Sequence, residues 1–477
     1  MAFIILSLLQ QFPFAQNITL FSSLFSFIIA LFPLFFIKLR DSRRTTKSSQ
    51  FINLPPSPPK LPFIGNLHQL GSLPHHSFRS LSQKYGPIMF LQLGQSPTVV
   101  LSSPEFASQI MKTHDLDFAN RPRFTAPKIL LYGCTDVVFG PYGEMWRERK
   151  KVCVNEFLSP KRVQSFKEIR EEEVGELVKK IRDLSLGSEC VNLSELLIAT
   201  SNGVVSKCVL GDKFNRDGRF VKLTRKVMIK LGAVSVGDYF PSLGWFDVVT
   251  GFIPKVKSTF NKLDKFFDQD MFVGGIETTS TTLQWGMAEL MRNPTKMKKA
   301  QEEVRRVVGS KSKVDESDIS EMKYLKCVVK EILRLHPPAP LMAPRISKSS
   351  VQLNGYTIPA HTTVYINSWA IQRDPKLWER PEEFLPERFE KNIDFDFKGQ
   401  NFSYIPFGSG RRGCPGIMFG IASMECMLAN LLYWFDWKLP TNGDASVHDI
   451  DMSESFGLTV TMKVPLCLHA TPYSFGS

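Results

Sequence analysis

The sequence predicts a mainly α-helical fold with small β-sheets, preceded by one N-terminal transmembrane helix. The apolar run at 18–37, ITLFSSLFSFIIALFPLFFI, has the ~20 residues that a helix needs to cross a bilayer. Segments such as EIREEEVGELVKKIRDL carry apolar residues at helical spacing and charges on the opposite face. The stretch IMFLQLGQSPTVVLSS predicts two short strands around a turn at 94–97.

We interpret the apolar run at 18–37 as an uncleaved membrane anchor. A cleaved signal peptide, the alternative, needs a basic n-region, a shorter apolar core and a small-residue cleavage site, and none is evident. Five basic residues follow between Lys38 and Lys47, so the positive-inside rule places the C-terminal part in the cytosol. The predicted organisation is an apolar segment at 1–17, the anchor, a basic flank at 38–53 and one folded domain at 54–477.

Composition and charge narrow the class of protein. With 43% hydrophobic and 22% charged residues, the chain of 477 residues is predicted to be globular and folded. Its net charge of +13 would suit a protein that binds nucleic acid. The sequence contains no RNA-binding or zinc-finger pattern, so we predict no nucleic-acid partner. A basic surface for an acidic protein partner stays possible. The eight cysteines and eight histidines form no CxxC, HExxH or HxxxH motif, and the sequence therefore predicts no zinc site.

Two further segments have a recognisable pattern. LPPSPPKLPFIGN at 54–66 contains five prolines and predicts a rigid spacer between the membrane and the domain, rather than an SH3-type ligand, because apolar residues follow. FGLTVTMKVPLCLH at 456–469 alternates from Leu458 to Val464 and predicts a strand, which Pro465 limits to an edge or a turn.

The stretch PFGSGRRGCPG at 406–416 places four glycines, two arginines and Cys414 in one short loop. An apolar helix is predicted to follow, so the helix dipole, free N–H groups and the charges of Arg411 and Arg412 favour a thiolate. Such a sulfur is a nucleophile or a metal ligand, and the glycines favour close approach to a flat cofactor. Two alternatives are a cysteine nucleophile with a distant histidine base and a buried cysteine in a tight turn.

Most of this loop matches the haem-binding signature of the cytochrome P450 family. The matching residues are Phe407, Gly408, Gly410, Arg412, Cys414, Pro415 and Gly416. The chain resembles this family from the proline segment to the C-terminus, and FANRP and YGCTDVVFGPYG resemble its plant microsomal A-type group. The resemblance implies the cytochrome P450 fold, haem b as cofactor, Cys414 as the axial iron ligand, and Phe407 and Arg412 at the haem, with Arg412 on a propionate.

A predicted helix, KYLKCVVKEILRL, ends before Pro337 and carries Glu331 and Arg334 on one face. An ordinary surface ion pair is the alternative, but the surrounding residues are apolar, so we expect a buried pair with a third partner. PERF at 386–389 resembles the family element that supplies this partner, Arg388. By resemblance the three residues are structural and lie behind the haem.

The stretch FVGGIETTSTT at 272–282 has two glycines inside an apolar helix, at a cost of about 1 kcal/mol each against alanine. Glu277 and Thr278 resemble the acid–alcohol pair of the family's central helix, where glycines leave room for O2 and substrate. By resemblance, Thr278 would donate a hydrogen bond above the iron and Glu277 would relay protons from water. A helix N-cap built from threonine and glutamate is the alternative.

Other haem contacts are implied with less specific motifs. In YGEMWRERKK, Trp146 and Lys150 match the family helix that contacts a propionate, although lysine replaces the usual arginine and lacks its bidentate fork. Arg121 in FANRPR and Arg345 in APRISK resemble two further propionate contacts.

The resemblance implies a monooxygenase at the endoplasmic reticulum membrane. It would insert one atom of O2 into a small apolar plant specialised metabolite, with electrons from NADPH through a reductase. The reductase would dock on basic residues of the Cys414 side, namely Arg147, Lys150, Lys151 and Arg411. Two alternatives are a haem-thiolate isomerase or dehydratase and an inactive shortened form. The inactive form is an alternative because the chain is several tens of residues shorter than the family pattern, and the two parts join near 268–271.

Overall fold

The computed structural model describes residues 53–187, 190–211, 218–264, 274–391, 395–440 and 450–474. The predicted anchor at 18–37 and the predicted join at 268–271 lie outside the described residues. The chain divides into two compact units, residues 1–53 and 54–477, and the second contains the helices and strands of the described residues.

Helices are the main secondary structure of the described part of this unit. They are α1 (Pro74–Tyr85), α2 (Pro104–Ser108), α3 (Thr125–Leu130), α4 (Glu144–Cys153), α5 (Pro160–Ser165), α6 (Lys167–Leu186), α7 (Leu193–Leu210), α8 (Gly218–Gly232), α9 (Val236–Tyr239), α10 (Phe246–Val249), α11 (Phe252–Leu263), α12 (Glu277–Arg292), α13 (Pro294–Val308), α14 (Glu316–Glu321), α15 (Lys323–Leu335), α16 (Ser368–Ile371), α17 (Arg388–Lys391) and α18 (Ile417–Trp434).

The strands are short. They are β1 (Ile88–Leu93), β2 (Ser96–Leu101), β3 (Val191–Asn192), β4 (Arg345–Ile346), β5 (Val351–Leu353), β6 (Tyr356–Ile358), β7 (Thr363–Ile366), β8 (Phe435–Lys438), β9 (Glu454–Ser455), β10 (Thr461–Met462) and β11 (Cys467–Pro472). One sheet has the order β1-β2-β7-β4, with β2 and β7 parallel, and another the order β3-β11-β8. The remaining two are the antiparallel pairs β5-β6 and β9-β10.

The core surrounds α12, which packs against α7, α15 and α18. Buried apolar side chains of these helices, of α6 and of α13 form one hydrophobic cluster. A second cluster joins α3, α8 and α11. Among the described residues, α18 alone is long and apolar enough to cross a membrane, but most of it is buried in this core.

Local sequence explains where these elements begin and end. The predicted hairpin is confirmed, because Leu93 pairs with Ser96 around Gly94, whose φ of +61° suits glycine. The stretch AELMRNPTKMKKAQEEVRRVV at 288–308 carries apolar residues at helical spacing. It forms the end of α12 and all of α13, since Pro294 lacks an N–H and is accepted as the first residue of α13.

Two segment predictions are confirmed in part. Of the strand predicted at 458–464, only Thr461 and Met462 pair in a sheet, because Leu458 N donates to Met228 O and Val460 N to Pro338 O. The proline segment docks on the domain, as the apolar residues after it indicated: Phe90 N of β1 donates to Pro56 O, 2.8 Å away.

Candidate active site

A large and mostly apolar cavity lies inside the domain. Its walls are formed by α4, the residues at the start of α12, the segment 338–345, the loop at 458–459 and the cysteine loop, which we define as residues 406–416. Cys414 lines this cavity and is exposed to its interior. Histidine is absent from the described residues of the cavity wall, so the alternative of a cysteine nucleophile has no imidazole base there.

The backbone of the cysteine loop depends on glycine at two positions. Gly408 and Gly410 have φ values of +69° and +71°. A Cβ on Gly410 would come within 2.2 Å of Met111 O, so a larger residue cannot occupy that position without moving the neighbouring chain. The Cys414 N–H donates to Phe407 O at 2.9 Å, which closes the loop.

The protonation of Cys414 differs from the sequence prediction. Burial raises the pKa of the thiol, while the N–H of Gly416 and the charge of Lys150 lower it. The helix that follows begins at Ile417, with Gly416 as its N-cap, so Cys414 precedes the helix proper. The effect of Arg411 and Arg412 on the thiol stays a prediction, since Lys150 is the cation that lowers the pKa of Cys414 here. A thiolate here requires a cation at the sulfur itself, and a coordinated metal ion removes a thiol proton.

Asp115, which no sequence motif identified, holds the cysteine loop in place. Its buried carboxylate accepts hydrogen bonds from the backbone N–H of Arg411, at 2.9 Å, and from the Arg411 guanidinium, at 3.1 Å. It also pairs with Arg345 at 3.0 Å. The side chain of Arg411, a residue of the cysteine loop, is therefore bonded to Asp115.

Arg121, Arg345 and Arg412 come together at one end of the cavity. The guanidinium of Arg412 donates to three backbone carbonyls, those of Ala119, Val137 and Gly140. Arg121 likewise donates to carbonyls, including Pro344 O at 3.0 Å.

These three cations repel one another. Burial, and then the charge of Arg345, lower the pKa of Arg412 to about 10. Burial and the charges of Arg412 and Arg345 also hold the pKa of Arg121 well below its usual value. Because buried cations require compensation, this cluster fits the two carboxylates of a haem.

Trp146 and Lys150 contact the site through the protein itself. The Trp146 N–H donates to Val137 O at 2.9 Å, and its ring lies 4.2 Å from the Arg412 guanidinium. Lys150 Nζ donates to Arg411 O at 2.5 Å. Trp146 and Lys150 both line the cavity, but each also contacts protein groups. Trp146 therefore positions Arg412, and Lys150 positions the cysteine loop.

The structure separates Glu277 from Thr278. Thr278 lines the cavity and donates its hydroxyl to Gly274 O at 2.6 Å, whereas Glu277 is buried and does not line the cavity wall. The N-cap of α12 is Ile276 and makes no side-chain capping bond, so the predicted alternative of a Thr/Glu cap is wrong.

The two glycines before α12 also differ from each other. A Cβ on Gly275 would lie 3.0 Å from Val205 of α7, whereas one on Gly274 would meet nothing within 4 Å. Gly275 thus permits close helix packing, and Gly274 leaves open space.

Glu277 should make stability depend on pH. Burial raises its pKa to about 8, against the lowering effects of Thr459 and Arg225. The folded state therefore binds this proton more tightly than the unfolded chain, and stability should fall as pH rises from about 4.5 to about 8.

Glu277→Gln should remove this dependence, because glutamine resembles the neutral acid. Its stability advantage over the wild type should be more than ~1 kcal/mol larger at pH 8.5 than at pH 5, since one pKa unit is about 1.4 kcal/mol. Urea unfolding of both proteins at pH 5 and pH 8.5 tests this prediction. A difference in unfolding free energy between the two proteins that is the same at both pH values would contradict it.

Glu331 and Arg334 of α15 lie together with Arg388 of α17. Both carboxylate oxygens of Glu331 accept from Arg334 at 2.8 Å, and Arg388 Nε donates to the same carboxylate at 3.2 Å. Glu331 and Arg334 have no exposed side-chain surface. The remaining Arg334 donors bind the carbonyls of Gln372, Pro381 and Glu383.

Comparison with known proteins gives one family. The model of the family described as Cytochrome P450 matches residues 55–269 and 267–463. A phenylacetaldehyde oxime monooxygenase of Prunus mume is 48% identical over 509 residues, covering 95% of this chain and 97% of that protein. Cytochrome P450 71A1 of Persea americana is 49% identical over 459 residues, covering 85% and 91%. Premnaspirodiene oxygenase of Hyoscyamus muticus is 42% identical over 496 residues, covering 93% and 97%.

The Prunus mume alignment is longer than this chain. It spans 509 residues, whereas the chain has 477, so that relative contains residues without a counterpart here. The two matches to the family model meet at 267–269.

Proposed function

Because this chain belongs to the cytochrome P450 family, and within it to the plant A-type monooxygenases, we propose that it inserts one atom of O2 into a small apolar specialised metabolite. The observation that carries this proposal is Cys414, which faces an apolar cavity beside three arginines, of which Arg345 is buried and Arg121 and Arg412 are half-buried. Cys414 would ligate haem iron, and Arg121, Arg345 and Arg412 would hold the propionates. Bound haem supplies oxygen activation, which a thiolate ligand favours by donating electron density.

The chain's own residues then bind the substrate and deliver protons. The apolar wall selects a substrate with few polar groups, because a buried polar group without a partner is costly. At neutral pH Glu277 holds a proton, and the nearby Thr459 lines the cavity. We propose that the proton passes from Glu277 by way of Thr459, while Thr278 supplies a second hydroxyl group to the cavity wall.

We propose an NADPH-dependent reductase as the electron donor, docked on the face of α4. Arg147 and Lys151 are exposed there, next to exposed Met145 and Val152. Of the other residues of the predicted patch, Lys150 donates to Arg411 O and Arg411 pairs with Asp115. We therefore reduce the docking surface to Arg147 and Lys151 with the flanking apolar residues Met145 and Val152.

Charge reversal tests this surface. Arg147→Glu with Lys151→Glu should slow reduction by the reductase about tenfold or more at low ionic strength, because steering charges act mainly on association. Haem content should not change. Lys298→Glu, at an exposed lysine of α13, is the control. Unchanged reduction of the double variant in stopped-flow measurements would refute the surface.

We also propose that residues 18–37 anchor the chain in the endoplasmic reticulum membrane. The apolar length of that run and the basic flank at 38–53 support a single span with the haem domain, residues 54–477, in the cytosol. We further propose that the chain is shortened near 268–271 relative to the family. The two-part match to the family model and the longer relative support this proposal.

The test is the difference spectrum of the purified, dithionite-reduced protein with carbon monoxide. A strongly red-shifted Soret band would show haem held by a thiolate. An absent band would overturn the proposal and favour the inactive shortened form. Turnover of a substrate without O2 or reductase would instead support an isomerase or dehydratase.

A further inference from the structure

Two adjacent histidines and one distant glutamate converge outside the haem cavity. His75 and His76 begin α1, and Glu454 belongs to β9. His75 Nε2 and His76 Nε2 each lie 2.9 Å from Glu454 Oε2, and the three atoms that could bind a metal lie within 4.8 Å of one another. We propose that His75, His76 and Glu454 form a binding site for a zinc-like divalent cation.

The geometry suits a tetrahedral ion. Zinc lies about 2.0–2.2 Å from histidine nitrogen and carboxylate oxygen, so its ligands are about 3.3 Å apart. The two nitrogen–oxygen distances of 2.9 Å need only a small expansion. The His75 side chain is fully buried, Glu454 is nearly so, and His76 is 46% exposed, which leaves an entry path and a fourth position on the His76 side.

The second ring nitrogen of His75 is compatible with coordination through Nε2. His75 Nδ1 is buried and has no hydrogen-bond partner among the described groups. A cation on Nε2 places the ring proton on Nδ1. His75 also lines a small cavity with His336 and Trp369, where a water molecule can accept a hydrogen bond from that N–H.

One nearby positive charge opposes a cation at this site. Arg373 acts on both His75 and Glu454. Its guanidinium pairs with Glu382 at 3.1 Å, but Glu382 also pairs with Arg79 at 2.6 Å, so this carboxylate offsets only part of the repulsion.

Glu454 connects the proposed cation site to the wall of the large cavity. The segment between β9 and β10 carries Leu458 and Thr459, which line the cavity. A cation joining α1 to β9 would fix one end of this hairpin. Metal binding would therefore restrain part of the substrate-binding wall.

Zinc binding to the full-length chain tests the proposal. The protein is purified in detergent with an affinity tag that lacks histidine, and Zn²⁺ is measured by equilibrium dialysis and elemental analysis. One zinc per chain is expected. His76→Asn and Glu454→Gln should weaken binding more than about 100-fold, since even outer-shell changes typically cost 10–100-fold. His361→Asn is the matched control, because His361 is exposed and its φ of +59° is acceptable for asparagine.

Hydrogen exchange gives an independent readout that requires no haem. Zinc should slow exchange in the peptide 454–462 of the wild type and leave the same peptide of His76→Asn unchanged. Absence of zinc binding to the wild type, or equal binding by the wild type and both variants, would overturn the proposal. The cluster would then be a hydrogen-bonded clamp between α1 and β9.

Discussion

Cys414→Ser is expected to lose the strongly red-shifted Soret band of the reduced carbon monoxide complex, together with all monooxygenase activity. Serine preserves the size of the side chain and the N–H bond to Phe407 O, which the backbone makes. Its hydroxyl cannot supply the thiolate that favours oxygen cleavage. The three arginines stay in place, so some haem should still be retained. The reduced carbon monoxide spectrum and the haem-to-protein ratio measure the two effects separately.

Cys190→Ser is the control for this change, because Cys190 is exposed and does not line the cavity. It should keep the wild-type spectrum. A red-shifted band in Cys414→Ser would exclude Cys414 as the iron ligand.

Glu331→Gln is expected to destabilise the folded protein by about 3–5 kcal/mol, because it leaves buried guanidinium charge without its carboxylate. Arg334 has no exposed side-chain surface, and the backbone N–H of Leu385 also donates to Glu331, at 2.8 Å. Loss of this carboxylate therefore loosens the segment that carries Pro381, Glu383 and Leu385. Denaturant unfolding of the purified variant, or its soluble yield if it cannot be purified, measures the effect.

Glu302→Gln provides a matched control for the same chemical change. Glu302 faces Lys298 at 3.8 Å on α13, and both side chains are largely exposed, 66% and 77%. Loss of such a pair should cost less than ~1 kcal/mol. Equal destabilisation by the two variants would show that burial of the Glu331 pair does not determine its importance.

The sequence was sufficient for features whose cause is local. The hairpin at 88–101 follows from alternation around a glycine, and α6 follows from helical periodicity. The glycines of the cysteine loop indicated close backbone approach, and Gly410 does lie against Met111. Glu331 and Arg334, three residues apart on one helix, were expected to pair.

Features that depend on distant contacts were missed. Asp115 holds the cysteine loop, but no local pattern marks a single aspartate whose partners lie some 230 and 296 residues away. Glu277 was placed at the cavity by resemblance, whereas the helix rotation directs only Thr278 to the wall. The His75, His76 and Glu454 cluster escaped a motif search because Glu454 lies 379 and 378 residues from the two histidines.

The crowding of Arg121, Arg345 and Arg412 has a consequence for biosynthesis. Asp115 pairs with Arg345, but mutual repulsion of the three charges still weakens the folded chain until a further anionic group binds there. Any ligand that binds only the folded state stabilises it by a free energy that grows with the concentration of the ligand. Newly made chains without haem are therefore more exposed to proteolysis, and the fraction that is degraded should fall as the porphyrin supply rises. The cellular amount of this protein should rise and fall with the capacity of the plant cell to make tetrapyrroles.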